Sequence, residues 1–285
     1  MKMSHLIHTS DVSTELWKIM NHVKEPSHSS SGCNFSTQFQ SSQQMDWIRV
    51  QDSLKGRLIT EDDFKWRLPT REKEGSCEIL KYVGGVDLSF SKDDSSIACG
   101  TLVVLDLQTH KVVYEDSSIA RLHIPYVPGF LAFREAPVLL ELLDKMKNNA
   151  HPFYPQLLMV DGNGLLHPRG FGLACHIGVL ADLPTVGVGK NLHHVDGLTQ
   201  SRVRELLQSA DSPENILPLI GDSGCTWGAA MRSSQGSLKP IFISVGHRIS
   251  LATAIEIVRM VCRFRVPEPI RQADIRSREC LRNNR

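Results

Sequence analysis

Apolar and polar positions change their rhythm along the chain, and each change marks a boundary. From Glu25 to Gln44 the sequence reads EPSHSSSGCNFSTQFQSSQQ, poor in aliphatic residues and rich in Ser and Gln. Such a stretch buries too little apolar surface to offset its conformational entropy. Residues 1–45 therefore read as a disordered, low-complexity extension, with Glu15–Val23 as one candidate short helix. Between Asp46 and Leu68, Trp47, Ile48, Leu54, Leu58 and Ile59 recur at three- and four-residue spacing, which predicts a helix. A chain of 285 residues can bury one large core or two small ones. Only one continuous series of periodic segments follows, so residues 46–285 are expected to form one domain.

The period then shortens. Tyr82–Phe90 (YVGGVDLSF) predicts a strand ended by the turn-rich Lys92–Ser96, Ile97–Leu107 a second strand, and Lys111–Ile119 a third after the turn Gln108–His110. Such short connections imply an antiparallel meander. Beyond Pro125-Tyr126-Val127-Pro128, the stripe Leu139, Leu142, Leu143 and Met146 predicts a helix to about Lys147. Pro137 fits the first helical position, which would leave Glu135 at that helix's start. Gln156–Val160 (QLLMV) is a short unbroken apolar run, as in a strand covered on both faces. A helix over Gly170–Leu180 and a second buried strand, Thr185–Gly189, follow. Helices near Gln200–Ser209 and Ser250–Phe264 enclose a hairpin around Trp227–Val245. Right-handed crossovers put the later strands beyond the first, in spatial order 3-2-1-4-5. That is an α/β fold of ribonuclease-H-like type, with a mixed five-stranded central sheet flanked by helices.

Charge narrows the options only locally. The 32 basic and 31 acidic residues leave a formal charge of +1, so no global positive field exists and any nucleic-acid surface must be a patch. Arg259–Arg285 carries eight arginines against Glu268, Asp274 and Glu279, which is either such a patch or a solvated charged helix. Seven widely spaced cysteines without a C-x-x-C pair support neither a zinc knuckle nor a disulfide framework, and they favour a reducing compartment. No apolar run is long enough to span a bilayer, so no membrane partner is expected. Gly187-Val188-Gly189-Lys190 is followed by Asn191, which fails the phosphate-loop pattern, so no nucleotide cofactor is expected either.

Two carboxylates stand out. Asp87 lies inside a strand between Val86 and Leu88, and Asp161 ends the run QLLMV and opens the turn Gly162-Asn163-Gly164. In the order 3-2-1-4-5 their strands are neighbours. A carboxylate in apolar surroundings is costly or takes up a proton unless something compensates it. Two side by side strengthen the demand for a hard cation, and oxygen ligands suit Mg²⁺ or Mn²⁺. Taken singly, Asp87 could pair with a lysine and Asp161 could cap a turn. Glu135 alone would be an ordinary helix-start glutamate, and Asp274 alone a solvated one.

The segments GGVDLSF, PYVPGFLAFRE, VDGNGLLHPRGFGLACHIGVL, PTVGVGK, GDSG, SVGHRISL and PEPIRQAD, in this order, resemble the endonuclease V family. The resemblance runs from about Tyr82 to Asp274, the Trp47–Leu58 helix also fits, and residues 1–45 lie outside it. It implies that Asp87, Glu135 and Asp161 bind Mg²⁺ (or Mn²⁺), with Asp274 as a further acid. It places Lys190 at the catalytic centre, to steady developing charge or orient water, and His167 near the scissile phosphate. Arg169 is either a phosphate contact or a partner in an ion pair. The loop Pro125-Tyr126-Val127-Pro128 is stiffened by its prolines. In the family it wedges into the strand, although a proline-flanked core aromatic is the plainer reading. Gly129, Leu131, Gly162, Gly172 and Leu173 map to the walls of a base pocket, and His247 reads as structural. The implied activity is hydrolysis of the second phosphodiester bond 3′ to inosine, leaving 3′-hydroxyl and 5′-phosphate ends. The H-P-R-G-F-G and R-Q-A-D variants resemble members that favour inosine in single-stranded RNA, with deoxyinosine DNA as a second substrate. A monomer is expected, in the cytoplasm, with the nucleus or nucleolus left open. Other readings are a ribonuclease-H-like nuclease of different specificity, a non-catalytic inosine-binding module, and an α/β domain without a nucleic-acid role.

Overall fold

Alternation of side chains along buried strands decides how this chain layers. The computed structural model describes residues 34–69, 77–209, 215–233 and 239–284. The candidate helix over Glu15–Val23 lies outside them. The first described element is helix α1 (Asn34–Lys55), followed by a two-residue parallel ladder of β1 (Trp66–Arg67) and β2 (Glu78–Ile79). The meander is β3 (Tyr82–Phe90), β4 (Ile97–Asp106) and β5 (Lys111–Arg121), and helix α2 (Leu131–Asn148) follows it. Next come β6 (Leu157–Asp161), α3 (Leu173–Ala181), β7 (Thr185–Gly189) and α4 (Gln200–Ser209). The chain ends with β8 (Ile216–Ile220), β9 (Thr226–Met231), β10 (Ile241–His247), α5 (Leu251–Val261) and α6 (Glu268–Asn283).

The main sheet has the order β5-β4-β3-β6-β7-β10-β9-β8. Its first five positions reproduce the expected 3-2-1-4-5, with β6 parallel to both β3 and β7. The sheet does not stop at five strands, however. The hairpin expected around Trp227–Val245 adds β10 antiparallel to β7, and β9 and β8 continue the sheet to eight. The reason is an edge. Every residue of β7 is buried, and an unpaired edge there would leave its backbone groups without partners. β10, buried along its whole length, supplies them.

Successive residues of β3 and β6 face opposite layers, as the pleat requires. Val86, Leu158 and Val160 join a core with Trp47 of α1, Phe133 and Leu139 of α2 and Ile177 of α3. Val83, Leu157 and Met159 join the other, with Ile257 of α5 and Ile270 of α6. A smaller cluster holds α4 against the β8–β10 extension through Val203, Leu207, Leu219 and Phe242.

Two helix boundaries differ from expectation. α1 begins at Asn34, inside the Ser/Gln-rich stretch, and stops at Lys55 instead of reaching Leu68. Ser and Gln cost little helical free energy once a neighbouring turn is anchored, and Trp47, Val50 and Leu54 are buried and provide that anchor. α2 begins at Leu131, so Pro137 lies inside the helix and Glu135 is its fifth residue. Proline at an interior position costs roughly 3 kcal/mol. Phe130 and Phe133 offset it by packing on Trp47, with ring centroids 5.8 and 5.4 Å away. The six cysteines among the described residues are free, and none of the described helices is long and apolar enough to cross a membrane.

One glycine controls how the last helix docks. A Cβ on Gly85 would overlap the backbone of Pro269 at the start of α6. Gly85, Asp87 and Ser89 share a face of β3, so this contact lays α6 over the acidic residue. Gly85→Ala should lower stability by about 1–3 kcal/mol, as overpacking does. A urea unfolding midpoint unchanged from wild type would show that α6 does not depend on this approach.

Candidate active site

The register of β3 and β6 pairs Val86 with Val160, which sets Asp87 and Asp161 one residue further along neighbouring parallel strands. Asp87 is only 6% exposed. Ser277 of α6 donates to its Oδ2 at 2.9 Å, and Ser89 Oγ lies 3.3 Å from the same atom and 2.7 Å from Ser277 Oγ. Asp161 accepts from Lys190 Nζ at 2.6 Å. Lys190 directly follows β7, whose Val188 is in register with Asp161. Glu135 reaches the same region from α2 and is buried, while Asp274 of α6 accepts from Arg278 at 2.7 Å.

The electrostatics show that these groups act on one another. Burial pushes the Asp87 carboxyl up to about 7; its hydrogen bond to Asp161 and the charges of Asp161 and Asp274 add to this, against the Ser277 hydroxyl. Burial pushes Glu135 up to about 8, with the charge of Asp87 next, a weaker contribution from Asp161, and Arg134 opposing. Burial alone would lower the Lys190 ammonium, but Asp161, Asp87 and Asp274 outweigh it and hold its pKa above the usual lysine value. The Lys190 ammonium thus faces three carboxyl groups, and the two buried acids, Asp87 and Glu135, hold their protons above the usual carboxylate range. An all-oxygen donor set short of positive charge fits a hard divalent cation. Among the described residues, no three acidic, histidine or cysteine side chains are grouped closely enough to hold an ion by themselves. Mg²⁺ commonly takes one or two carboxylates and completes its shell with water and substrate phosphate. The fit is therefore to an ion shared with substrate.

Of the expected base-recognition residues, Gly162 directly follows Asp161 and lies against Leu173, and Gly129 is tied through Gln51 to Phe171, next to Gly172. Pro125, Tyr126 and Pro128 are exposed, Tyr126 at 62%, which excludes the core-aromatic reading. Gly129 follows the loop, and half-buried Leu131 is the first residue of α2. Gly162 lies against the Leu173 side chain, and Gly172 caps α3 so close to the Asn163 carbonyl that a Cβ would not fit. His167 is buried, and its Nδ1 accepts the Arg169 backbone N–H at 3.2 Å. Burial, then the charges of His193, Arg169 and Lys55, push its pKa down to about 4, so the ring is neutral and its proton sits on Nε2. No hydrogen bond joins His167 to the carboxyl groups among the described residues. Arg169 is in the ion pair that the plainer reading anticipated, with Asp52 at 3.0 Å, and it lies over the Phe130 ring. His247 is structural: it is 3% exposed, and its Nδ1 accepts from the Ile59 backbone at 3.3 Å.

Sequence reasoning missed three residues here. Gln51 of α1, 2% exposed, donates to the carbonyls of Phe171 (2.8 Å) and Gly129 (3.3 Å) and accepts from Arg169 Nε. It thereby ties the aromatic loop to the start of α3. Its signal was a polar residue on an otherwise apolar stripe with Trp47 and Leu54. Ser89 and Ser277, which position Asp87, were detectable only as neighbours at spacings of two and three from Asp87 and Asp274.

A cluster of carboxyl groups at the junction of two parallel strands, beside a lysine and on a mixed α/β sheet flanked by helices, fits a phosphodiester-cleaving nuclease. The Endonuclease V family model matches residues 63–275. Human Endonuclease V is 48% identical over 239 residues, covering 84% of this chain and 83% of the human one. Mouse Endonuclease V is 49% identical over 237 residues, 83% of this chain and 69% of the mouse one. The crystal structure of the human Endonuclease V catalytic domain superposes with a TM-score of 0.80 at 46% identity, covering 85% of this chain and 97% of that one. Endonuclease V of Ciona intestinalis, in complex with DNA containing an inosine followed by a ribo-adenosine, gives 0.78 at 33% identity, covering 86% and 99%. The chain belongs to the Endonuclease V family and is an endonuclease.

Two predictions follow from the geometry. Carboxyl groups raised in the folded state stabilise it fully below their unfolded pKa, and that stability is lost as pH rises through the folded values. The metal-free protein should therefore lose thermal stability from about pH 4 to pH 8, the window set by Asp87 and Glu135. Asp87→Asn should flatten the decline; an unchanged Tm–pH profile in that variant would contradict the shared burial. Gln51→Ala leaves buried carbonyls unpartnered and should cost about 1–3 kcal/mol. A urea unfolding midpoint equal to wild type would show that Gln51 does not hold the loop to the start of α3.

Proposed function

We propose that this endonuclease hydrolyses the second phosphodiester bond 3′ to inosine in single-stranded RNA, with deoxyinosine DNA as a second substrate, leaving 3′-hydroxyl and 5′-phosphate ends. The observation that carries the reading is that the exposed Pro125–Pro128 loop leads into α2, whose Glu135 acts on Asp87 and Asp161 in the cluster that Lys190 joins. The Ciona intestinalis relative was crystallised with a DNA containing an inosine followed by a ribo-adenosine, which supports an inosine-containing strand as substrate.

Asp87, Glu135 and Asp161 would hold Mg²⁺, or Mn²⁺ in its place, with Asp274 contributing charge from α6. A divalent ion in such a site polarises the phosphate, lowers the pKa of an attacking water and stabilises the departing oxygen. The protein's own residues supply the rest. Ser277 and Ser89 fix the Asp87 carboxyl. Lys190, held by Asp161, places a fixed positive charge where negative charge develops on the phosphate. Neutral His167 has Nε2–H free to donate to a phosphate oxygen. Reading one base requires removing it from its stack, and an exposed aromatic such as Tyr126 can occupy the gap it leaves. The extruded base would meet backbone groups of Gly129, Gly162 and Gly172 and the Leu131 and Leu173 side chains. There a backbone donor distinguishes the hypoxanthine carbonyl from the adenine amino group.

End-labelled RNA carrying inosine or adenosine at one position, cut in Mg²⁺ beside matched deoxyinosine DNA, tests this. Cutting one nucleotide beyond inosine, stronger on RNA and absent with adenosine, is the expected outcome. Asp87→Ala and Asp161→Ala should each reduce cutting by at least about a thousandfold, since removing part of a catalytic unit removes most of its effect. Equal cutting of inosine and adenosine strands would overturn the base specificity, and near-normal activity in either variant would overturn the mechanism.

A further inference from the structure

Next to the acidic cluster lies a cavity of opposite charge. It has a volume of about 540 Å³ and is lined by Lys190, Arg204, Arg232, Lys239 and Arg265, with no carboxylate among its lining residues. Its apolar part comes from Leu207 of α4 and Phe242 of β10. Arg265 is spent on backbone: it donates to the carbonyls of Lys190 (2.9 Å), Pro240 (3.0 Å) and Lys239 (3.2 Å). Those bonds brace the wall and the Lys190 backbone, but carbonyls do not neutralise the guanidinium. Arg232 is half-buried, and its buried Nε has no hydrogen-bond partner among the described residues. Arg204, on the exposed side of α4, has no ion pair among the described residues.

Arg204, Arg232 and Arg265 have no carboxylate partner among the described residues, like charges so gathered repel one another, and a buried guanidinium N–H without an acceptor is costly. A multiply charged oxyanion relieves both, and Arg is the side chain best matched to phosphate. The volume lies within the range of small-ligand sites and exceeds what a bare phosphate needs. A cationic rim over an apolar floor suits a phosphate together with its sugar and base.

We propose that this cavity seats a nucleotide of the substrate strand on the 3′ side of the bond that is cut, with its phosphate held by Arg204 and Arg232. The polarity rests on the function proposed above. Lys190 belongs to both the acidic cluster and the cavity, whereas none of the base-pocket residues lines the cavity. A strand that places inosine in the pocket and the scissile phosphate at Lys190 therefore enters the cavity with its 3′ continuation.

The test measures steady-state cutting, by the full chain, of single-stranded inosine RNA that ends either one nucleotide past the cut or several nucleotides further. Wild type should prefer the longer strand by about tenfold in kcat/KM, the scale of one charge-assisted contact, expressed in KM. Arg204→Ala and Arg232→Ala should each lose that preference, and each should reduce the salt dependence of binding the longer strand by about 0.7 in log–log slope, the contribution of one phosphate. Arg204 is exposed, so its variant should unfold at the wild-type midpoint and report binding alone. Equal cutting of both strands by wild type, variants that keep the preference, or a preference that follows the 5′ end instead would each overturn the assignment. Failure of the inosine reading shows separately, as equal cutting of inosine and adenosine strands, and leaves the flank comparison readable.

Discussion

Asp87 and Asp161 repel each other at the junction of β3 and β6, and much of the surrounding structure manages that repulsion. The parallel register makes the proximity unavoidable, because Val86 and Val160 are direct partners and the next residue on each strand is acidic. The cost of burying the first carboxyl is met locally: two serine hydroxyls converge on Asp87, one from its own strand and one from α6. The second is met by Lys190, placed by the neighbouring strand. Glu135, arriving from the opposite layer, is buried beside Asp87 with only Arg134 opposing, and its carboxyl holds its proton well above the usual range. The two buried acids therefore leave the junction short of positive charge.

The scaffold serves this junction from three directions. β10 seals the edge of β7 and so fixes the strand that presents Lys190. α6 lies on β3 through the contact that Gly85 permits, bringing Ser277 and Asp274 over Asp87. α1, which lies outside the part of the chain matched by the family model, reaches across with Gln51 to tie Gly129 to Phe171. That helix thus holds together two of the segments that carry the expected base-recognition residues. Beyond Lys190 the sign of the surface reverses, so the acidic cluster and the basic cavity meet at one lysine.

Much of this was legible in the residues. The apolar strands around Asp87 and Asp161 marked both acids as misplaced unless compensated, and the short turns and crossovers gave the order of the first five strands. The helix boundaries were harder. Pro137 is locally a helix-start signal, but the Phe130 and Phe133 stack on Trp47 extends α2 ahead of it, and Trp47 is distant in sequence. The same non-local packing anchors α1 through residues whose Ser/Gln-rich neighbours looked unstructured.

The sequence by itself determined the layering of the central strands, the candidate acids and the stiff aromatic loop, because alternation, burial and proline geometry are local properties. Only the tertiary structure decided which polar side chains serve those acids. Ser277 is 190 residues from Asp87, and Gln51 is 120 from Phe171. It also decided that Arg169 is held in an ion pair with Asp52, and that the arginines beside Lys190 line a common cavity. Hydrogen bonds and like-charge clusters of this kind depend on the distance between residues in space, which no local pattern encodes.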